Sequence, residues 1–265
     1  MEHLGLRCVR TLIVSMVIIS QLTHQSDKTT SAFPDPVTKM TNNEDCSLPA
    51  RINLYYDLYS PQTKPAPLLI ALHGYGANKR QMMREAKLMA PDNAAIISLQ
   101  GPYQHLRDPK EAGGPLRFGF GWVTNFRPEE SHAIHHQALT DLINTAIAGN
   151  VADPDRIFLL GFSQSCALNY RFAFSHPSIL RGVVGICGGM PGDWASNAAY
   201  QAIPADVMHL SGTRDEYYPP ERVHDYEREL KTRARAVTFK SYDAAHEITQ
   251  KMRVDVKQWL TQNSQ

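Results

Sequence analysis

The sequence predicts an α/β fold in which a mostly parallel sheet carries helices on both faces. Three observations carry that reading. From residue 51 onward, strand-like segments alternate with helix-like ones, the signature of crossover units. The run Pro67–Leu72 is continuously apolar, as a strand buried on both faces requires. Hydrophobic residues make up 43% and charged residues 20% of the 265 residues, an ordinary balance for one globular domain of this size.

The elements follow in chain order. Arg51–Tyr56 alternates like a half-buried strand, and Pro67–Leu72 reads as a central one. Lys79–Ala90 carries helix formers and is closed by Pro91. Ala94–Leu99 is the next strand. From Leu99 to Ser131 no periodicity is visible, although Gly113-Gly114 and Phe118-Gly-Phe-Gly-Trp122 fall there. A connection of this length is usually functional, and rings interleaved with glycines suggest a pocket wall. Ser131–Ala148 has apolar residues at helical spacing and ends at Gly149. Arg156–Leu160 is a strand, and Ser165–Ser175 a helix stopped before Pro177. Gly182–Cys187, Val207–Leu210 and Val237–Tyr242 complete the strands. Helices between Pro220 and Lys231 and from Glu247 to Leu260 complete the chain.

Residues 51–265 therefore read as one catalytic domain, preceded by a linker at 33–50 and a signal segment at 1–32. Arg7 and Arg10 precede the apolar run Leu12–Ile19, a basic flank and short apolar core typical of secretory signals. The run is far shorter than the roughly 20 residues that cross a bilayer. The pattern predicts export, secreted or periplasmic, with Thr30-Ser-Ala32 as the nearest small-residue cleavage site. Were the segment not a working signal, the protein would stay in the cytoplasm. No stable membrane insertion of the mature domain is expected.

With 27 basic and 26 acidic residues the net charge is +1, so no electrostatic footprint for nucleic acid is present. Cys46, Cys166 and Cys187 remain after the signal, an odd number, which implies no full disulfide framework. Cys166 and Cys187 read as buried thiols. No C-x-x-C spacing suggests structural zinc. His132, His135 and His136 share a helix face, but no partner completes a site. They read as a polar face, and no metal is expected.

The chemical signal is Gly161-Phe-Ser163-Gln-Ser165, placed between a strand and a helix. A serine on such a sharp turn matches the nucleophile elbow, where small neighbours let strand and helix pass closely. Ser165 stands where G-x-S-x-G has its second glycine. A serine hydroxyl needs a base to take its proton and an acid to orient that base. On this topology the order is Ser, Asp/Glu, His, each after a later strand. Asp215 follows the strand ending near Leu210, and His246 follows the strand ending at Tyr242. Glu216 and Asp193 are weaker candidates for the acid, and His209 and His224 are structural. Acyl transfer also needs N–H donors at the developing oxyanion. The N–H of Gln164 and that of Tyr75, within His73-Gly-Tyr-Gly76, are the candidates.

These blocks resemble the α/β-hydrolase fold and, more narrowly, the phospholipase/carboxylesterase family. The resemblance rests on Leu72–Tyr75, Asp153–Gln164, Gly182–Gly189, Gly212–Asp215 and His246-Glu247, and spans roughly residues 51–262. It implies that Ser163, Asp215 and His246 form the triad, and that Tyr75 and Gln164 give the oxyanion donors. It further implies that Trp122 lies beside the acyl pocket. The family needs no cofactor. The expected activity is hydrolysis of short-chain acyl esters of small molecules. A thioesterase or lysophospholipase on long acyl chains, a peptidase and a non-catalytic binder on the same fold are the alternatives.

Overall fold

The computed structural model describes residues 46–109, 111 and 113–265. The segment expected to be a signal, at 1–32, and most of the expected linker lie outside the described residues. Arg51–Gln265 gathers into one compact unit.

The apolar runs become the centre of a seven-stranded sheet. Its strands are β1 (Tyr56–Tyr59), β2 (Ala66–Leu72), β3 (Ala95–Leu99), β6 (Ala152–Phe162), β7 (Gly182–Ile186), β8 (Ile203–Gly212) and β9 (Ala234–Tyr242). They lie in the order β1-β3-β2-β6-β7-β8-β9, all parallel except the edge strand β1. Every residue of β2 is buried. Leu68, Ile70 and Leu72 enter the core on one face, and Leu69 and Ala71 enter the core on the other. Two-sided burial is why no polar alternation appears in that run.

Helices α1 (Lys79–Met89) and α6 (Gln250–Asn263) cover one face through Met82, Met89, Met252 and Trp259. Helices α2 (Pro128–Ala148) and α3 (Gln164–Ser175) cover the other through Leu139, Ile143, Leu168 and Phe172. Two short helices, α4 (Pro220–Val223) and α5 (Tyr226–Lys231), replace the single helix expected there. Among the described residues no helix is long and apolar enough to cross a membrane.

Several boundaries move, each for a local reason. The first strand lies at Tyr56–Tyr59, not Arg51–Tyr56, because it pairs with β3 alone. Tyr56 already faces Leu99, the last residue of β3. Helix α2 starts at Pro128, before Ser131, since proline suits the first helical position and Glu129 and Glu130 favour the N-terminal dipole. Helix α6 starts at Gln250, not Glu247, because the Thr249 side chain accepts from the Met252 N–H and caps it.

The stretch without visible periodicity holds a β-hairpin, β4 (Tyr103–Arg107) and β5 (Arg117–Gly121). Phe120 stitches it to the loop after β2, its N–H donating to the Ala77 carbonyl at 3.1 Å and its carbonyl accepting from the Gly76 N–H at 2.9 Å.

The histidines of α2 also depart from the expected polar face. His135 is buried, edge-on to Trp122, and His136 packs against Phe172 and His176. Burial, the largest cause, pulls the His135 pKa down to about 3, so its ring is neutral. Among the described residues no group of His, Cys, Asp and Glu is arranged to hold a metal ion.

Candidate active site

Four loops meet at the carboxyl edge of the parallel strands, where open α/β sheets place their sites. They follow β2, β6, β8 and β9 and carry Tyr75, Ser163, Asp215 and His246 respectively.

Ser163 sits between β6 and α3 with φ 58° and ψ −118°, a conformation that a non-glycine residue rarely adopts. A Cβ at Gly161 would lie 2.7 Å from Asn169 Nδ2 and 3.0 Å from Ser165 Oγ. Only glycine lets strand and helix approach this closely. Ser165 explains its own departure from the glycine pattern. Its buried hydroxyl accepts from the Phe162 N–H at 3.0 Å and donates toward the carbonyls of Leu72 at 2.9 Å and Phe162 at 3.0 Å. The elbow is thereby fastened to the end of β2.

The three polar side chains form a hydrogen-bonded chain. Ser163 Oγ lies 2.9 Å from His246 Nε2, and His246 Nδ1 lies 2.9 Å from Asp215 Oδ2. Asp215 is buried, and its Oδ1 also accepts from the N–H groups of Tyr217 and Tyr218, each at 2.9 Å. Burial alone would raise its pKa. The His246 ring and the two backbone donors outweigh that and hold the carboxyl below its usual value. A carboxylate that stays ionised beside Nδ1 keeps the proton on that nitrogen, leaving Nε2 to accept one from the serine. Asp193 is engaged elsewhere, with Arg171 at 2.8 Å and with Tyr200.

The loop His73–Ala77 passes alongside the elbow. Gly76 has φ +78°, which suits glycine. The N–H groups of Tyr75 and Gln164 are not spent on any acceptor among the described residues. The Tyr75 ring is 63% exposed and stacks on His105 at 4.3 Å between centroids.

Trp122 lies beneath this loop, not beside an open pocket. It is 1% exposed, and its indole N–H donates to the His73 carbonyl at 2.7 Å. Its backbone N–H donates to the Gln164 side-chain oxygen at 2.9 Å. Trp122 therefore ties two walls of the site together, one through its indole and one through its backbone, and the expectation that it lies beside the acyl pocket is corrected. The reason is the hairpin, which carries Trp122 inward at its end.

His73 was not singled out by sequence. Its Nδ1 lies 2.8 Å from the Gly74 carbonyl, and its Nε2 accepts from the Gly101 N–H at 3.0 Å. Burial, partly offset by the Gly74 contact, lowers its pKa to about 4, so the ring is a neutral clamp. Its place just after a buried strand and before a glycine was the available clue. Cys166 and Cys187 are buried thiols as expected. Burial pushes Cys187 up to about 12 and Cys166 well above its ordinary value, so neither supplies a thiolate.

Two open clefts flank Tyr75. One, of about 440 Å³, is lined by His246, Phe162, Glu85, Arg107, Glu247 and Arg253, among others. The other, of about 470 Å³, is lined by Tyr103, His105, Gly121 and Thr124, among others.

A sheet of this topology, with its polar chain at the carboxyl edge, defines an α/β-hydrolase. The chain belongs to the phospholipase/carboxylesterase family, whose model matches residues 55–264. It is similar in fold to the carboxylesterase of Bacillus cereus, with a TM-score of 0.64 and 18% identity, over 79% of this chain and 94% of that one. A carboxylesterase from Mesorhizobium loti matches with a TM-score of 0.62 and 22% identity, over 78% and 93% of the two chains. In sequence the chain is 27% identical over 175 residues to NocK of Nocardia uniformis subsp. tsuyamanensis, a protein named provisionally as an esterase. That match covers 62% of this chain and 46% of the relative.

Proposed function

We propose that this chain is a serine carboxylic-ester hydrolase that works through an acyl-enzyme on small-molecule esters, without a cofactor. The observation that carries the reading is the unbroken chain Ser163 Oγ, His246, Asp215 on a strained elbow. His246 Nε2 takes the Ser163 proton as Oγ attacks the ester carbonyl carbon. The N–H groups of Tyr75 and Gln164 receive the negative charge that develops on the carbonyl oxygen. The carbon–oxygen bond then breaks, and His246 returns the proton to the leaving alcohol. Water attacks the acyl-enzyme by the same route, and Asp215 stabilises the imidazolium in both halves.

The cleft on the side of Tyr75 away from His246 favours short acyl groups. Tyr103, Gln104, His105 and Thr124 line it, and long alkyl chains gain little beside polar groups that must keep their water.

The test is a chain-length series of p-nitrophenyl esters, run beside acyl thioesters and aminopeptide substrates, with wild type and Ser163→Ala. The expected result is kcat/KM highest for short oxygen esters and nearly lost in a folded Ser163→Ala protein. Preference for long-chain thioesters, or for peptides, would replace this reading with one of those activities.

A further inference from the structure

The geometry points to Arg107 as the anchor for a carboxylate on the leaving alcohol, so that the preferred substrates are O-acyl esters of hydroxy acids. This inference rests on the ester-hydrolase reading and names its substrate class.

The two clefts beside Tyr75 differ in what they offer the reaction. His246 must protonate the departing oxygen, so the leaving group lies on the imidazole side. The cleft lined by His246 is also the one lined by Arg107. The alcohol half of the ester therefore extends toward that guanidinium.

Arg107 is built into place. Strand β4 puts His105 and Arg107 on the same face, two residues apart, and the Arg107 side chain crosses two glycines, Gly119 beneath its stem and Gly76 beneath its guanidinium. A Cβ at Gly119 would lie 2.7 Å from Arg107 Cδ, and one at Gly76 would lie 3.1 Å from Cζ, Nε and Nη1. The guanidinium lies against the loop that carries Tyr75 and donates from Nη1 to the Gly76 carbonyl at 2.8 Å. That bond fixes its position while leaving most of its five donors unspent among the described residues.

Its charge is also not paired within the cleft, where Glu85 is taken by another arginine. The other arginine in the cleft, Arg253, is gripped by Glu85 through two bonds of 2.7 and 3.1 Å. Arg107 forms no ion pair with a carboxylate among the described residues. A held guanidinium with a free edge suits two-pronged recognition of a carboxylate. The exposed Tyr75 ring, stacked on His105, offers an aromatic face nearby.

No new chemistry is required. Ser163 takes the acyl group, the ester carbon–oxygen bond breaks, and His246 gives its proton to the leaving oxygen, releasing a hydroxy acid. Water then frees the carboxylic acid from Ser163.

The experiment compares 3- and 4-acetoxybenzoate with their neutral methyl esters as substrates of wild type, Arg107→Gln and Arg107→Lys. The readout is the ratio of kcat/KM for the anionic over the neutral ester. In Arg107→Gln the ratio should fall about tenfold or more for at least one isomer, the scale of one charged hydrogen bond, and Arg107→Lys should recover part of it. On wild type alone, 4-hydroxybenzoate should inhibit more strongly than its methyl ester, and added salt should erase the difference. An unchanged ratio in Arg107→Gln, or equal inhibition by the two products, would overturn the assignment while hydrolysis of the neutral esters kept the hydrolase reading intact. Failure of wild type to cleave any of the four esters would remove both.

Discussion

Acidification from pH 7 to pH 5 should destabilise the fold far more than it would a protein with exposed histidines. His209 shows why. It lies buried in β8, with Nδ1 2.8 Å from the Tyr170 hydroxyl and its ring stacked on Phe239 at 5.4 Å. Its Nε2 has no hydrogen-bond partner among the described residues. Burial lowers its pKa to about 4. The folded-state value thus lies below the unfolded one, about 6.5. The unfolded chain binds more protons throughout the interval between them, so stability is fully present above pH 6.5 and is lost as the pH falls toward 4. At pH 5 keeping this ring neutral costs about 2 kcal/mol, against a few tenths at pH 7. His73 and His135, both buried against Trp122 and held at about 4 and about 3, act in the same direction. Together the three remove about 6 kcal/mol, comparable to the whole stability of many domains. Urea unfolding at pH 7 and pH 5 reads the loss directly. His209→Gln removes one titrating group, so its loss over that interval should be smaller by about 2 kcal/mol, whatever its stability at pH 7. Identical pH slopes for wild type and His209→Gln would refute the argument.

Other substitutions separate the roles within the site. Asp215→Asn should lower kcat on the order of 10⁴-fold with the fold kept, by placing the His246 proton on the wrong nitrogen. Glu216→Gln, next to it, should change kcat little, and the reverse pattern in steady-state kinetics would move the acid to Glu216. Ser165→Ala orphans the Phe162 N–H and should cost about 1–3 kcal/mol in chemical denaturation, with a lower kcat as the elbow loosens from Leu72. Trp122→Phe keeps the ring but loses the bond to His73, so kcat should fall equally across acyl lengths. A changed length preference would return Trp122 to the acyl pocket. Mature protein from the native host should begin well after residue 20, and intact Met1 on cytoplasmic protein in mass spectrometry would contradict export.

Much of the fold was legible because its strands speak locally. Pro67–Leu72 and Gly182–Cys187 are apolar runs with no competing period, and burial on both faces is the simplest way to fold them. The elbow, Asp215 and His246 were legible for a related reason. Each stands immediately after such a strand, where the topology exposes its loops. The hairpin β4–β5 was hidden because Tyr103–Arg107 and Arg117–Gly121 carry polar, basic and glycine residues. Their strand character comes from pairing with each other and with Ala77, which no local pattern encodes. Trp122 and His135 were misplaced for that reason, since the hairpin and α2 enclose them together. The role of Ser165 in place of the motif's second glycine is likewise non-local, since one of its three contacts is with the Leu72 carbonyl at the end of β2.

The central claim is that Ser163 carries the acyl group. Its most direct test is intact and peptide-level mass spectrometry after reaction with a p-nitrophenyl alkylphosphonate, which leaves a stable adduct on an activated serine. The expected result is one phosphonyl group per chain, on the peptide containing Ser163, with stoichiometric loss of esterase activity and no labelling of Ser163→Ala. An adduct on another residue accompanying the loss of activity, or a Ser163→Ala protein that still turns over ester, would contradict the account.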